Sequence, residues 1–187
     1  AYRGDFNTSS LEDFVKYVKL HDGGNRDCFV NAEKMRAITY FDLGSTLEPG
    51  HGQHKAHLQL EKTAPYMALI NFANSHHKQE QIAEWLEDWA HLLTAYSADG
   101  THLEIKKVIS GVRSINIEAM RQISSEVQQL SSSKSALESI AARGKEQLPA
   151  QIHWENEPYN ALTKRVFSMR LSIRTTSDPT LCLQLIK

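Results

Sequence analysis

Between Gln79 and Leu93 the apolar residues Ile82, Trp85, Leu86, Trp89, Leu92 and Leu93 fall at offsets of 0, 3, 4, 7, 10 and 11. That is the repeat of about 3.6 residues of an amphipathic helix, and it predicts one over about Gln79 to Leu93. A shorter helix is expected near the start. Ser9-Ser10-Leu11-Glu12 has capping-box spacing, Leu11, Phe14, Val15 and Val18 make one apolar face, and His21-Asp22-Gly23-Gly24 ends it. Thr63-Ala64-Pro65 reads as a third helix start, with proline in the first turn, and His102 to Val112 as a fourth helix.

Elsewhere the period drops to two. Cys28-Phe29-Val30 and Ala37 to Leu43 are rich in β-branched and aromatic residues and predict strands. From Lys55 to Lys62, Ala56, Leu58 and Leu60 point to one side, and His57, Gln59 and Glu61 to the other. Over Ile115 to Leu130 the odd-numbered apolar positions favour a long strand, and a helix follows at Lys134 to Arg143, closed by Gly144. Ile152 and Trp154 open a strand. Phe167, Met169, Leu171 and Ile173 alternate with Ser168, Arg170, Ser172 and Arg174, Asp178-Pro179 turns, and Leu181, Leu183 and Leu185 alternate to the end. The expected fold is α+β: a largely antiparallel sheet, three or four helices packed on one face, and a C-terminal β-hairpin. A single domain of 187 residues is expected, in two closely packed halves of about 1–100 and 101–187.

Composition refines this picture. The chain is 41% hydrophobic and 23% charged, as in ordinary globular proteins. The net charge is −1, which argues against a broad cationic surface for duplex DNA. Residues 101–187 carry 12 Lys and Arg against 8 Asp and Glu, so any contact with nucleic acid is expected in that half. Cys28 and Cys182 sit in apolar stretches and read as free buried thiols of a reducing, cytoplasmic setting. No apolar run is long enough for a membrane span, and residues 1–20 lack the pattern of a signal peptide. The opening on Ala1, inside a structured-looking segment, suggests a fragment or a processed product.

Three constellations could carry chemistry. His51, His54 and His57 repeat every third residue, a spacing that could converge on a metal in a helix or tight loop. The strand alternation opposes this, because it sends His54 inward with Ala56 and Leu58 and His57 outward. Glu84, Glu87 and Asp88 form an acidic face suited to a basic partner, and Asp88-Trp89-Ala90-His91 has carboxylate-x-x-His spacing. Lys164, Arg170 and Arg174 share a polar strand face with Ser168 and Ser172 that could follow a single-stranded nucleic-acid backbone, with Tyr159 as the stacking residue. Local nucleophile and phosphate-loop motifs are absent, so no catalytic residue and no cofactor are expected. The rival expectation is a metal-dependent enzyme using His51, His57, Asp88 and His91.

Several short segments, in order along the chain, carry a family resemblance. They are Tyr2-Arg3-Gly4-Asp5-Phe6, Phe41-Asp42-Leu43-Gly44, Pro49-Gly50-His51 with His54, Ala83 to Asp88, Ser135-Ala136-Leu137, Leu148-Pro149, and Glu157-Pro158-Tyr159 with Leu162 and Arg170-Leu171. Together they resemble the YfdQ-like family of phage and prophage proteins. The resemblance implies a phage or prophage product whose leading N-terminal segment is missing here, and it supplies no catalytic residue. The family's function is unassigned; the function expected for this chain is non-catalytic binding in the host cytoplasm. Such a protein would assist DNA replication or recombination, or inhibit a host defence system. A host or phage protein and single-stranded nucleic acid are the expected partners, and no membrane.

Overall fold

The computed structural model describes residues 3–118, 148–174 and 178–186. The expected helix at Lys134 to Arg143 and most of the strand expected over Ile115 to Leu130 lie outside them. Residues 115–118 are described and do not form a strand. Ile115 instead continues the end of a helix, its N–H donating to Val112 O at 3.4 Å. The chain divides into two compact units, Ala1–Tyr66 with Glu157–Thr163 and Met67–Asn156 with Lys164–Lys187, bounds that differ from halves of 1–100 and 101–187.

The first unit holds β1 (Asp5–Thr8), α1 (Leu11–Leu20), β2 (Asp27–Asn31), β3 (Arg36–Tyr40) and β4 (Lys55–Gln59). The strands form one sheet in the order β1-β4-β3-β2, with β1 parallel to β4 and the other pairs antiparallel. Ser10, not Ser9, caps α1, its hydroxyl accepting from Asp13 N at 3.1 Å. The apolar face shifts accordingly. Phe14 is buried with Ala56, Leu58 and Leu60, and Tyr17 packs against that core, whereas Val15 is exposed. Cys28 is exposed, against expectation, because α1 packs over β1 and β4 and leaves β2 at the open end of the sheet.

The second unit contains most of α2 (Ala64–Phe72), then β5 (His76–His77), α3 (Gln79–Asp88), a 3-10 turn (Ala90–Leu92), β6 (Leu93–Tyr96), β7 (His102–Leu103), α4 (Ile105–Arg113), β8 (Gln151–Asn156), β9 (Arg165–Arg174) and β10 (Thr180–Leu185). Its sheet, β5-β10-β9-β8-β6-β7, is antiparallel throughout. Ile82, Ala83, Trp85 and Leu86 of α3 and Val108, Ile109 and Val112 of α4 are buried. Trp85 stacks on Trp154 of β8 at 5.1 Å and on Phe72 at 4.7 Å. The side chain of Gln79 donates to the carbonyls of Val112, Arg113 and Ile115 at 2.6–2.9 Å, and so caps the end of α4.

The expected helix over Gln79 to Leu93 is shorter than its period suggested. Trp89 leaves helical geometry at φ −105°, and Leu93 begins a strand opposite Trp154. Leu93 is buried in its strand as it would be in a helix, so apolar spacing could not tell the two apart. Likewise, the start of the helix expected from His102 is a strand, and α4 begins only at Ile105. The class is α+β, with four α-helices among the described residues, two mostly antiparallel sheets and the C-terminal hairpin β9–β10. The expected single sheet is two.

Candidate functional site

On β9 the alternation read from the sequence holds. Met169, Leu171 and Ile173 are buried towards the helices, while Arg170 and Arg174 are exposed on the opposite face and Ser168 and Ser172 are half-buried there. Register extends that face across the sheet. Arg170 lies opposite Gln184, and its Nε–H donates to Gln184 Oε1 at 3.0 Å. Ser168 lies opposite His153 and His153 opposite Thr94, while Gln151 lies opposite Tyr96 and Tyr96 opposite His102. The Tyr96 ring is 4.8 Å from His153 and 5.8 Å from His102. Tyr96 stands two strands from Arg170, about 10 Å at the usual strand spacing. Two guanidinium groups and three stackable rings therefore share one sheet face, open at Arg170 and at Arg174 and closed between them, where Cys182 lies buried opposite Ser172.

The β6–β7 turn that positions Tyr96 and His102 is tied by Asp99. Its carboxylate accepts from the Ser97 hydroxyl and, at 3.0 Å, from Thr101 N–H, and these bonds hold its pKa down to about 2. Lys164 is exposed immediately before β9. Tyr159 is part of the first unit and not of this sheet. It is half-buried in the core of the first unit, its ring 6.0 Å from Tyr66, and it bridges to Lys62, because the turn after β8 belongs to that unit. The aromatic side chains on this face are Tyr96, His102 and His153. The outward parity of Thr94 and Tyr96 against buried Leu93 and Ala95 carries part of their signal, in a segment where the sequence pattern predicts the end of a helix at Leu93 and no strand.

The histidines of residues 51–57 separate as parity requires: His51 is exposed, His54 buried and His57 half-buried. His54 Nε2 and the Tyr17 hydroxyl share a 3.0 Å hydrogen bond, with the His21 and Phe41 rings at 5.1 Å and 4.6 Å. Asp42 clamps the loop, its carboxylate accepting from Gln53 N at 3.1 Å and His54 N at 3.2 Å. Burial is the largest influence on His54 and lowers its pKa; the charges of His21 and Arg3 lower it too, against the opposing pull of Asp42. This is a packed aromatic joint between α1 and the β3–β4 loop.

Glu84, Glu87 and Asp88 are exposed on α3, and Glu87 pairs with Arg113 Nη2 of α4 at 2.6 Å, which neutralises part of the acidic face. His91 is exposed in the 3-10 turn beyond the end of α3, so it is not one helical turn above Asp88 on a continuous helix. Among the described residues no group of three or more His, Cys, Asp or Glu side chains is arranged to hold a metal ion, and His51, His57, Asp88 and His91 form no such group. Cys182 is buried, and burial pushes its thiol pKa up. No helix among the described residues is long and apolar enough to cross a membrane.

Fold and surface together define an α+β protein of two mostly antiparallel sheets, one carrying an open cationic and aromatic face. The chain belongs to the DUF2303 family, described as an uncharacterized conserved protein, whose model matches residues 2–187. No curated protein and no solved structure matches it.

Proposed function

We propose that this is a non-catalytic binding protein whose six-stranded sheet holds single-stranded nucleic acid on its open face, as an accessory to phage DNA replication or recombination. The observation that carries the reading is the sharing of one face by Arg170, Arg174, Tyr96, His102 and His153. Guanidinium groups pair with phosphate, and rings at this spacing offer stacking surfaces to unpaired bases without demanding a particular sequence. With a net charge of −1, attraction must come from local placement and not from bulk charge. The phage setting rests on the resemblance to the YfdQ-like family.

Fluorescence anisotropy with labelled single-stranded and duplex oligonucleotides at low salt tests the proposal. Preferential binding of the single strand is expected, abolished by Arg170→Glu with Arg174→Glu in a protein of unchanged circular dichroism. No binding by the unaltered protein at low salt, or binding indifferent to both changes, would sink the reading and point to a protein partner.

A further inference from the structure

Among the described residues the two sheets have four edges, and three of them are blunted. β5 and β7 are two residues long. β1 places its Phe6 ring against Tyr17 at 4.2 Å and turns Asp5 outward. The fourth edge, β2, differs. Its five residues, Asp27-Cys28-Phe29-Val30-Asn31, pair only with β3 among the described residues. Phe29 is 55% exposed and Val30 74%, and Cys28 is exposed as well. An edge strand of that length, with apolar side chains bare on both faces and a free row of backbone N–H and C=O groups, is a template for another strand.

We infer that β2 is a self-association edge, joining two copies of this chain antiparallel into a continuous eight-stranded sheet. The occupant follows from the strand's own sequence. Pairing about Phe29 places Phe29 against Phe29 of the second copy, Cys28 against Val30, and Asp27 against Asn31. No like charges oppose one another, and every exposed apolar side chain meets another. Phe29 already leans edge-on against Tyr40 at 6.2 Å, so the paired rings would extend an existing aromatic row. Helix α1 packs over β1 and β4, which leaves Val30 and Cys28 bare for the second copy to cover. A two-fold pairing of this kind closes on itself, so it yields a dimer and not a fibre.

Sedimentation equilibrium on the full chain tests this. A concentration-dependent dimer is expected, and Phe29→Lys, with unchanged circular dichroism, should be monomeric. The register is tested separately with Val30→Cys, which places a thiol directly opposite Cys28 of the second copy. Oxidised glutathione should convert that variant to a disulfide-linked dimer. It should leave Asp27→Cys and the unaltered chain unlinked, since their closest thiols across the two-fold lie on a diagonal, about 7–8 Å apart or more. A chain that stays monomeric at its highest attainable concentration overturns the inference. So does a dimer that survives Phe29→Lys while Val30→Cys fails to cross-link.

Discussion

Tyr17 on α1 and His54 at the foot of β4 are joined by a 3.0 Å hydrogen bond between the phenol oxygen and Nε2. The bond fastens the helix to the loop whose histidine spacing first suggested a metal. Around it, Phe41 N–H donates to the His54 carbonyl at 3.0 Å, and Asp42 grips the two residues before β4. The chemistry of the loop is thus spent on its own closure.

That joint makes the first unit sensitive to acid. The folded-state pKa of His54 lies below its ordinary value of 6.5, so the unfolded chain takes up the proton more readily. The His54 contribution is therefore fully present above 6.5 and is lost as pH falls from 6.5 through the depressed folded value. Urea unfolding followed by circular dichroism between about pH 8 and pH 5 should show this decline, and His54→Gln should flatten it. A decline of equal slope in His54→Gln would assign the effect to other groups. Trp85, Trp89 and Trp154 all lie in the second unit, so tryptophan fluorescence reports that unit and not this one.

Thr39 carries the opposite sign from most core substitutions. It is fully buried, and its Oγ1 has no hydrogen-bond partner. Thr39→Val keeps the shape and removes a desolvated hydroxyl, and should stabilise the first unit by roughly 1 kcal/mol. A lower urea midpoint in the variant would contradict this.

Gly50 and Gly23 should respond differently to the same methyl group. A Cβ at Gly50 would run into the Asp42 carbonyl and lie 2.7 Å from the carbonyl carbon of Leu43, and backbone cannot swing aside. Gly23 has nothing within 4 Å. Gly50→Ala should cost about 1–3 kcal/mol by strain, whereas Gly23→Ala should be neutral or gain up to about 1 kcal/mol. Melting temperatures by circular dichroism compare the pair directly.

On the open face of the second sheet, stacking and charge should separate in the salt dependence of binding. Tyr96→Ala is expected to weaken single-strand binding by about 1–3 kcal/mol while leaving the slope against log salt unchanged. Arg170→Gln should reduce the magnitude of that slope by about 0.7 for one lost phosphate contact. Identical slopes for the two variants would show that Arg170 does not meet phosphate.

The strands β4, β8 and the second half of β9 were legible because each has one face buried and one more open, which imposes alternation, whereas in β10 Cys182 is buried on the outward parity. His54 could be placed inside and His57 outside from parity alone, and both are found there. The resemblance segments Phe41 to Gly44 and Pro49 to His51 prove to be the two sides of one loop, closed by Gly50 N–H donating to Leu43 O at 2.7 Å. The end of α3 was not legible. Leu92 and Leu93 continue the helical period, yet Leu93 is buried because β6 pairs with β8, a partner some sixty positions away.

By itself, the sequence determined the α+β class, the alternating strands and the outward direction of Arg170 and Arg174, since each follows from local period and side-chain chemistry. Only the tertiary structure decided that there are two sheets, that β2 is an exposed edge, and that Tyr96, His102 and His153 share a surface with those arginines. The reason is register: which strands become neighbours depends on non-local pairing and on the helices that cover one face, and periodicity along a single segment carries neither.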